Sequence, residues 1–157
     1  KYVKNGGNVV MQYNTSRGLT TSFGPYPFKL SRDRITDENA PVIFNSPTDS
    51  ILNYPNKIEE ADFEGWVQER GLYFSTDWNK KYRTPIGFES PEGKRLNGSL
   101  LITNYGSGTF VYTSLAFFRE LPAGVPGAYR LFANIIAGGK ENKILTPKKG
   151  LTPLEKD

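Results

Sequence analysis

The chain has 157 residues, a length that suits one domain or one domain with a short tail. It contains no Cys and no His, which excludes a thiol nucleophile, a Ser-His-Asp triad and imidazole or thiolate metal ligands. The formal net charge is only +4 and its Lys and Arg residues are scattered, so the composition does not indicate nucleic-acid binding. No apolar stretch approaches the ~20 residues that a membrane span needs. We therefore expect a protein that is not an enzyme and that carries no cofactor.

The first residues predict the end of a helix followed by a strand. Residues 1–7 close on two glycines, as the last turn of a helix does, and residues 8–13 form an apolar run typical of a strand covered on both faces. This order is typical of a parallel sheet packed against helices. Because its first element is the end of a helix, we expect the chain to be incomplete at its N-terminal side.

The middle of the chain predicts three strands separated by irregular segments. Residues 15–40 show no convincing period, and the first of these strands follows at residues 41–45. A second strand is predicted over residues 66–74, with a bulge at Gly71. The third covers residues 84–89 and is expected at a sheet edge, because Pro85 cannot donate to a ladder.

The last third has the clearest local signals. Residues 100–105 and 109–115 are β-branched and aromatic runs around a Gly-Ser-Gly turn, which predicts a hairpin. A helix should begin at Pro126 and end at the glycine pair 138–139. We expect this helix to bury a stripe formed by Ala128, Leu131, Phe132, Ile135 and Ile136.

These elements predict an α/β fold, a layered sandwich with a mixed β-sheet. The domain should cover residues 1–139. Residues 140–157 are rich in Lys and Pro and are interpreted as a tail or linker.

A polar segment follows the first predicted strand. Asn14, Ser16 and Arg17 stand where that strand ends, and ligands of open α/β sheets bind beyond the carboxyl ends of strands. These residues are therefore candidate ligand-binding residues. The alternative, which we favour, is a turn closed by the Asn and Ser side chains.

Two pairs of opposite charges stand in apolar surroundings. Glu69 and Arg70 lie in the predicted strand 66–74, and Arg119 and Glu120 follow the hairpin. They could line a pocket for a polyhydroxylated or anionic ligand. We favour structural ion pairs, for example Glu69 with Arg119, because buried charges require partners.

The aromatic residues allow a sugar-binding interpretation. Trp66 and Trp78, with Phe23–Phe28, could form a platform on which sugar rings stack, although aromatics at this density more often fill a core. The adjacent acidic pairs at 37–38 and 59–60 leave a carboxylate-only hydrolase as a third possibility. Glycosidase chemistry, however, needs two carboxylates at a set separation across a cleft, which neighbours in the sequence do not supply.

Several segments resemble a known family. Residues 2–10 and the later order of elements resemble class I glutamine-amidotransferase-like domains. Residues 62–74 and 117–134 resemble more specifically the C-terminal region of bacterial LmbE-like (PIG-L family) deacetylases, in particular multidomain Bacteroidetes proteins. The resemblance spans roughly residues 1–139.

The resemblance implies a flavodoxin-like sandwich and an accessory role. The family's catalytic domain removes an N-acetyl group from a sugar at a zinc site of His and Asp, whereas this chain has no His and lacks the amidotransferase Cys-His pair. No catalytic or metal-binding residue is therefore carried over. The implied function is to position a sugar substrate or to dock the deacetylase catalytic domain of the same parent chain. The implied location is periplasmic or secreted.

Overall fold

A computed structural model describes residues 1–15 and 23–138, which form a mixed α/β fold. Its strands belong to four small sheets, and two α-helices lie in these ranges. The elements are β1 Asn8–Gln12, β2 Phe28–Leu30, β3 Arg34–Ile35, β4 Val42–Phe44, β5 Gly71–Leu72, β6 Ser75–Trp78, β7 Ile86–Glu89, β8 Arg95–Leu96, β9 Leu100–Tyr105, β10 Gly108–Thr113, α1 Phe117–Glu120 and α2 Pro126–Ala137. Short 3-10 helices cover Val3–Asn5, Ser50–Leu52 and Glu60–Phe63.

The main sheet has the order β1-β10-β9 and is mixed, as the sequence predicts. Strand β1 runs parallel to β10 from the pair Asn8 and Thr109 onward, and β10 runs antiparallel to β9. The tight turn between β9 and β10 requires a left-handed residue, which Gly106 supplies with φ +63°. The predicted hairpin is thus confirmed.

Apolar clusters cover both faces of the main sheet. Neighbouring residues of a strand point to opposite faces, and Val111 accordingly joins a different cluster from Phe110 and Tyr112. In β1 the same alternation sends Val10 to one cluster and Val9 to the other. The unbroken apolar run of β1 is explained by this burial from two sides.

Helix α2 belongs to the larger cluster. Pro126 occupies its first turn, and Gly138 ends it in a left-handed conformation, both as predicted. Ala128, Leu131 and Ile135 are fully buried. Ile136, which was expected to be buried with them, is 55% exposed because it lies at the solvent side of the apolar stripe.

Two strand predictions are wrong. Only Gly71–Leu72 of the predicted strand 66–74 is paired in β5, because positive φ values at Gly65 and Gln68 turn the chain before and within residues 66–70. The predicted strand 84–89 corresponds to β7, but β7 is the central strand of the sheet β4-β7-β8 and not the expected edge strand. Pro85 precedes β7, so its missing N–H falls outside the ladder.

Candidate functional site

The carboxyl ends of the parallel strands β1 and β10 lie at one edge of the main sheet. Tyr13 and Asn14 leave β1 there, and helix α1 follows β10. Asn14 donates its amide Nδ2–H to the Gln12 carbonyl at 3.2 Å, so this side chain bonds to its own strand end. Ser16 and Arg17, the other two predicted residues of this segment, lie outside the described residues.

Aromatic side chains meet in front of this edge. The Tyr13 ring lies 4.9 Å from the Phe118 ring and 5.7 Å from the Tyr73 ring, measured between centroids. Tyr13 is 41% exposed and Phe118 44% exposed. Tyr73, the third ring of this group, is half-buried. We call Tyr13 and Phe118 the carboxyl-edge patch.

The backbone around the patch adopts unusual conformations. Tyr13, Gln68 and Tyr73 have φ values of 41°, 68° and 59°, and they are the non-glycine residues at positive φ in the described ranges. Each such conformation costs roughly 1–3 kcal/mol, and residues of this kind gather at functional sites. The three strained residues therefore support the choice of this edge as a candidate functional site.

The ion pair expected between Glu69 and Arg119 is present. Arg119 Nε lies 2.6 Å from Glu69 Oε1, and the Glu69 side chain is almost fully buried while that of Arg119 remains about one-third exposed. The Arg119 guanidinium also lies over the Phe118 ring at 5.1 Å. The ion pair thus holds the Arg119 guanidinium against one of the two rings of the patch.

Arg70 is held by backbone oxygens and aromatic rings. Its Nε donates to the Ala40 carbonyl at 3.1 Å, and its Nη1 donates to the Phe63 carbonyl. The guanidinium lies within 6.0 Å of the ring centroids of Phe63, Trp66 and Phe88. Burial lowers the pKa of Arg70 to about 10, which leaves the cation protonated at neutral pH.

Glu120 is the most deeply buried charged residue of the group. Its Oε2 accepts a hydrogen bond from the Val67 amide at 2.9 Å, and its Oε1 has no hydrogen-bond partner in the described part of the chain. Burial raises the pKa of this carboxyl, while the cations Arg70 and Arg119 partly oppose that rise. Glu120 thus holds the loop 66–70 against α1.

Every contact described above for Glu69, Arg70, Arg119 and Glu120 is with another part of the same chain. Two cations and two carboxyl groups balance each other, so the group offers no large excess charge to an ionic ligand. A hollow of about 290 Å³ borders Arg70, and its other polar lining residues are Asn39, Glu60 and Glu64. In residues 1–15 and 23–138, no three His, Cys, Asp or Glu side chains converge as metal ligands would.

Trp66 does not offer a surface for a sugar. Its side chain is 3% exposed and stacks on Phe63, and its Nε1–H donates to the Asp62 carbonyl at 3.0 Å. The prediction of Trp66 as a surface platform is therefore wrong. Trp78 is half-buried and lies elsewhere, on β6.

The structure therefore brings five of the eight predicted site residues close together, and it adds residues that were not predicted. Glu69, Arg70, Arg119 and Glu120 lie together behind the carboxyl edge, with Trp66 beside Arg70. Sequence reasoning missed the carboxyl-edge patch. A partial signal was the Phe117-Phe118 pair, because neighbouring residues of a helix or a strand point in different directions and two adjacent rings therefore do not pack on one face.

Comparison with known proteins adds no assignment. A scan against protein-family models finds no match, and a search of curated proteins finds none either. Among the described residues, no helix combines the length and apolarity required to cross a membrane.

Proposed function

We propose that the chain is a non-catalytic accessory domain of a multidomain LmbE-like N-acetylsugar deacetylase, and that it docks the catalytic domain through the carboxyl-edge patch. The parallel pairing of β1 with β10 and the packing of α2 in the core are compatible with the C-terminal part of a flavodoxin-like, glutamine-amidotransferase-like sandwich. This fold assignment belongs to the proposal.

The observation that carries the proposal is the exposed contact between the Tyr13 and Phe118 rings. Aromatic side chains are enriched at the centres of protein interfaces, where a large rigid ring buries area at low entropic cost. Here two rings already contact each other at 4.9 Å, so little ordering is required on binding. Such a preorganised surface suits a partner domain that is tethered in the same parent chain.

The charged residues behind the patch support docking rather than catalysis by this chain. Glu69 is held by Arg119 at 2.6 Å, and Glu120 accepts from the Val67 amide in a fully buried position. A general base has to reach the proton that it removes. These two carboxyl groups instead fix the loop 66–70 against the helix that carries Phe118.

The test uses the purified chain and the catalytic domain of a LmbE-like deacetylase from the same parent protein. We expect the chain alone to release no acetate from N-acetylglucosamine and no ammonia from glutamine, and calorimetry to show saturable binding between the two proteins. Acetate or ammonia above the background would refute the non-catalytic role. Absence of binding would refute the docking role.

A further inference from the structure

A half-buried tryptophan of β6, Trp78, borders two hollows. One hollow, of about 190 Å³, is lined by Pro27, Phe28, Lys29, Asp77, Trp78 and Asn79. The other, of about 240 Å³, includes Asp33, Thr76, Trp78, Lys94 and Asn97 in its lining. Trp78 borders both, and part of its side chain packs against the cluster that contains Tyr82 and Phe110.

We infer that Trp78 is the stacking platform of a binding site for neutral pyranose sugars, with one ring in each hollow. This inference does not rest on the proposed docking function. Both hollows are smaller than the ~300 Å³ at which sites for drug-sized ligands begin, so each suits a single small ring.

The polar groups beside Trp78 come as donor and acceptor pairs. Lys29 Nζ lies 2.9 Å from Asp77 Oδ2 at the first hollow, and Lys94 Nζ lies 3.0 Å from Asp33 Oδ2 at the second. A sugar hydroxyl both donates and accepts hydrogen bonds, so it can accept from the lysine ammonium and donate to the aspartate carboxylate of one pair. The aromatic ring meanwhile offers an apolar surface for the C–H face of the pyranose.

The same pairing argues against an anionic ligand. Phosphate recognition needs cations whose charge is available, whereas Lys29 and Lys94 are each neutralised by a carboxylate at 3.0 Å or less. Arg95, a further cation in the lining of the second hollow, donates to the side-chain oxygens of Asn97 and Asn45, which use two of its N–H groups and leave its charge in place. The two ion pairs therefore favour a ligand rich in hydroxyl groups over a phosphate, for which Arg95 alone would supply available charge.

The indole N–H of Trp78 is a further donor. It forms no hydrogen bond with another residue of 1–15 and 23–138, whereas the Trp66 indole is already bonded to the Asp62 carbonyl. The two tryptophans of the chain thus differ in what a ligand can reach. This difference supplies an internal control.

The experiment follows the two indole N–H signals by 15N-edited NMR while cellotriose, mannotriose or N,N′,N″-triacetylchitotriose is added to the chain alone. We expect the Trp78 signal to shift saturably with at least one of these sugars, with a dissociation constant of about 1 mM (a binding free energy of about −4 kcal/mol), and the Trp66 signal to stay in place. No shift with any of the three, or equal shifts of both indoles, would overturn the inference.

Variants locate the site. Trp78→Ala should abolish the binding, and Asn79→Ala, which removes only one polar group at the rim, should weaken it severalfold while the NMR spectrum stays that of a folded chain. Tyr129→Ala removes an exposed aromatic ring from α2 and should leave the binding unchanged. Binding that survives in Asn79→Ala and is lost in Tyr129→Ala would contradict the assignment of the site to Trp78. Because the catalytic domain is absent, failure here leaves the docking proposal unaffected.

Discussion

Arg119 Nε lies 2.6 Å from Glu69 Oε1, so a four-residue helix and a loop fifty positions earlier in the chain are joined by one ion pair. Removing the cation leaves the buried Glu69 carboxylate without its partner. We expect Arg119→Met to lower the free energy of unfolding by about 1–3 kcal/mol, measured by urea denaturation.

Two comparisons make this first prediction specific. Adding Glu69→Gln to Arg119→Met should restore part of the lost stability, which a double-mutant cycle detects. Lys57 and Glu59 form a similarly short pair at 2.7 Å, but both side chains are largely exposed. Lys57→Met should therefore leave stability nearly unchanged. Strict additivity of the Arg119 and Glu69 effects would contradict the expected coupling.

Arg70 tests whether a planar cation is needed among the buried aromatic rings that surround it. A lysine keeps the charge but cannot donate from two positions to the Ala40 and Phe63 carbonyls, nor stack as a flat group between rings. We expect Arg70→Lys to lower the free energy of unfolding by roughly 3 kcal/mol, since a buried ammonium would replace a partnered guanidinium. An unchanged denaturation midpoint would show that the guanidinium geometry is irrelevant.

Glu120 predicts a pH dependence of stability. Burial raises the folded-state pKa of this carboxyl above its unfolded value of about 4.3, so the folded chain binds the proton more tightly. Its stabilising contribution is then complete below the unfolded pKa and is lost as pH rises through the folded pKa. We expect this fall in the free energy of unfolding to disappear in Glu120→Gln, followed by denaturation between pH 4 and pH 8. A persistent, equal fall in the variant would assign it to another group.

Gly127 lies in α2, where alanine normally stabilises a helix by about 1 kcal/mol. A Cβ placed on Gly127 would stand 1.9 Å from the Asp62 carbonyl oxygen, which is backbone and cannot rotate away. We therefore expect the opposite sign: Gly127→Ala should lower the melting temperature, with a cost of roughly 1–3 kcal/mol from overpacking. An increase in the melting temperature would disprove this close approach of α2 to the 3-10 helix Glu60–Phe63.

Local patterns predicted the hairpin β9–β10 and helix α2 because their signals are periodic and their ends carry Gly and Pro. The rule that buried charges need partners also predicted Glu69 with Arg119. Reasoning from local patterns failed for residues 66–70. Gln68 has a positive φ there, and glutamine is not a residue type that indicates such a conformation.

Contacts between distant segments explain most of what the sequence left open. Tyr13 and Phe118 are far apart in the chain and meet only because β1 runs parallel to β10. Asn134 is another case: it stands on the apolar side of α2 beside Ile135, yet its amide donates to the Ile51 and Asn56 carbonyls at 2.8 and 2.7 Å. A pattern of apolar spacing does not reveal such partners.

The proposed docking surface is tested most directly by calorimetry with the catalytic domain of the proposed parent deacetylase and three forms of the chain. We expect the double variant Tyr13→Ser, Phe118→Ser to bind at least tenfold more weakly than the unmodified chain, since both rings would leave the interface centre. Ile136→Ser, which removes an even more exposed apolar side chain from α2, should bind as the unmodified chain does. Equal affinity of the double variant and the unmodified chain would contradict the account.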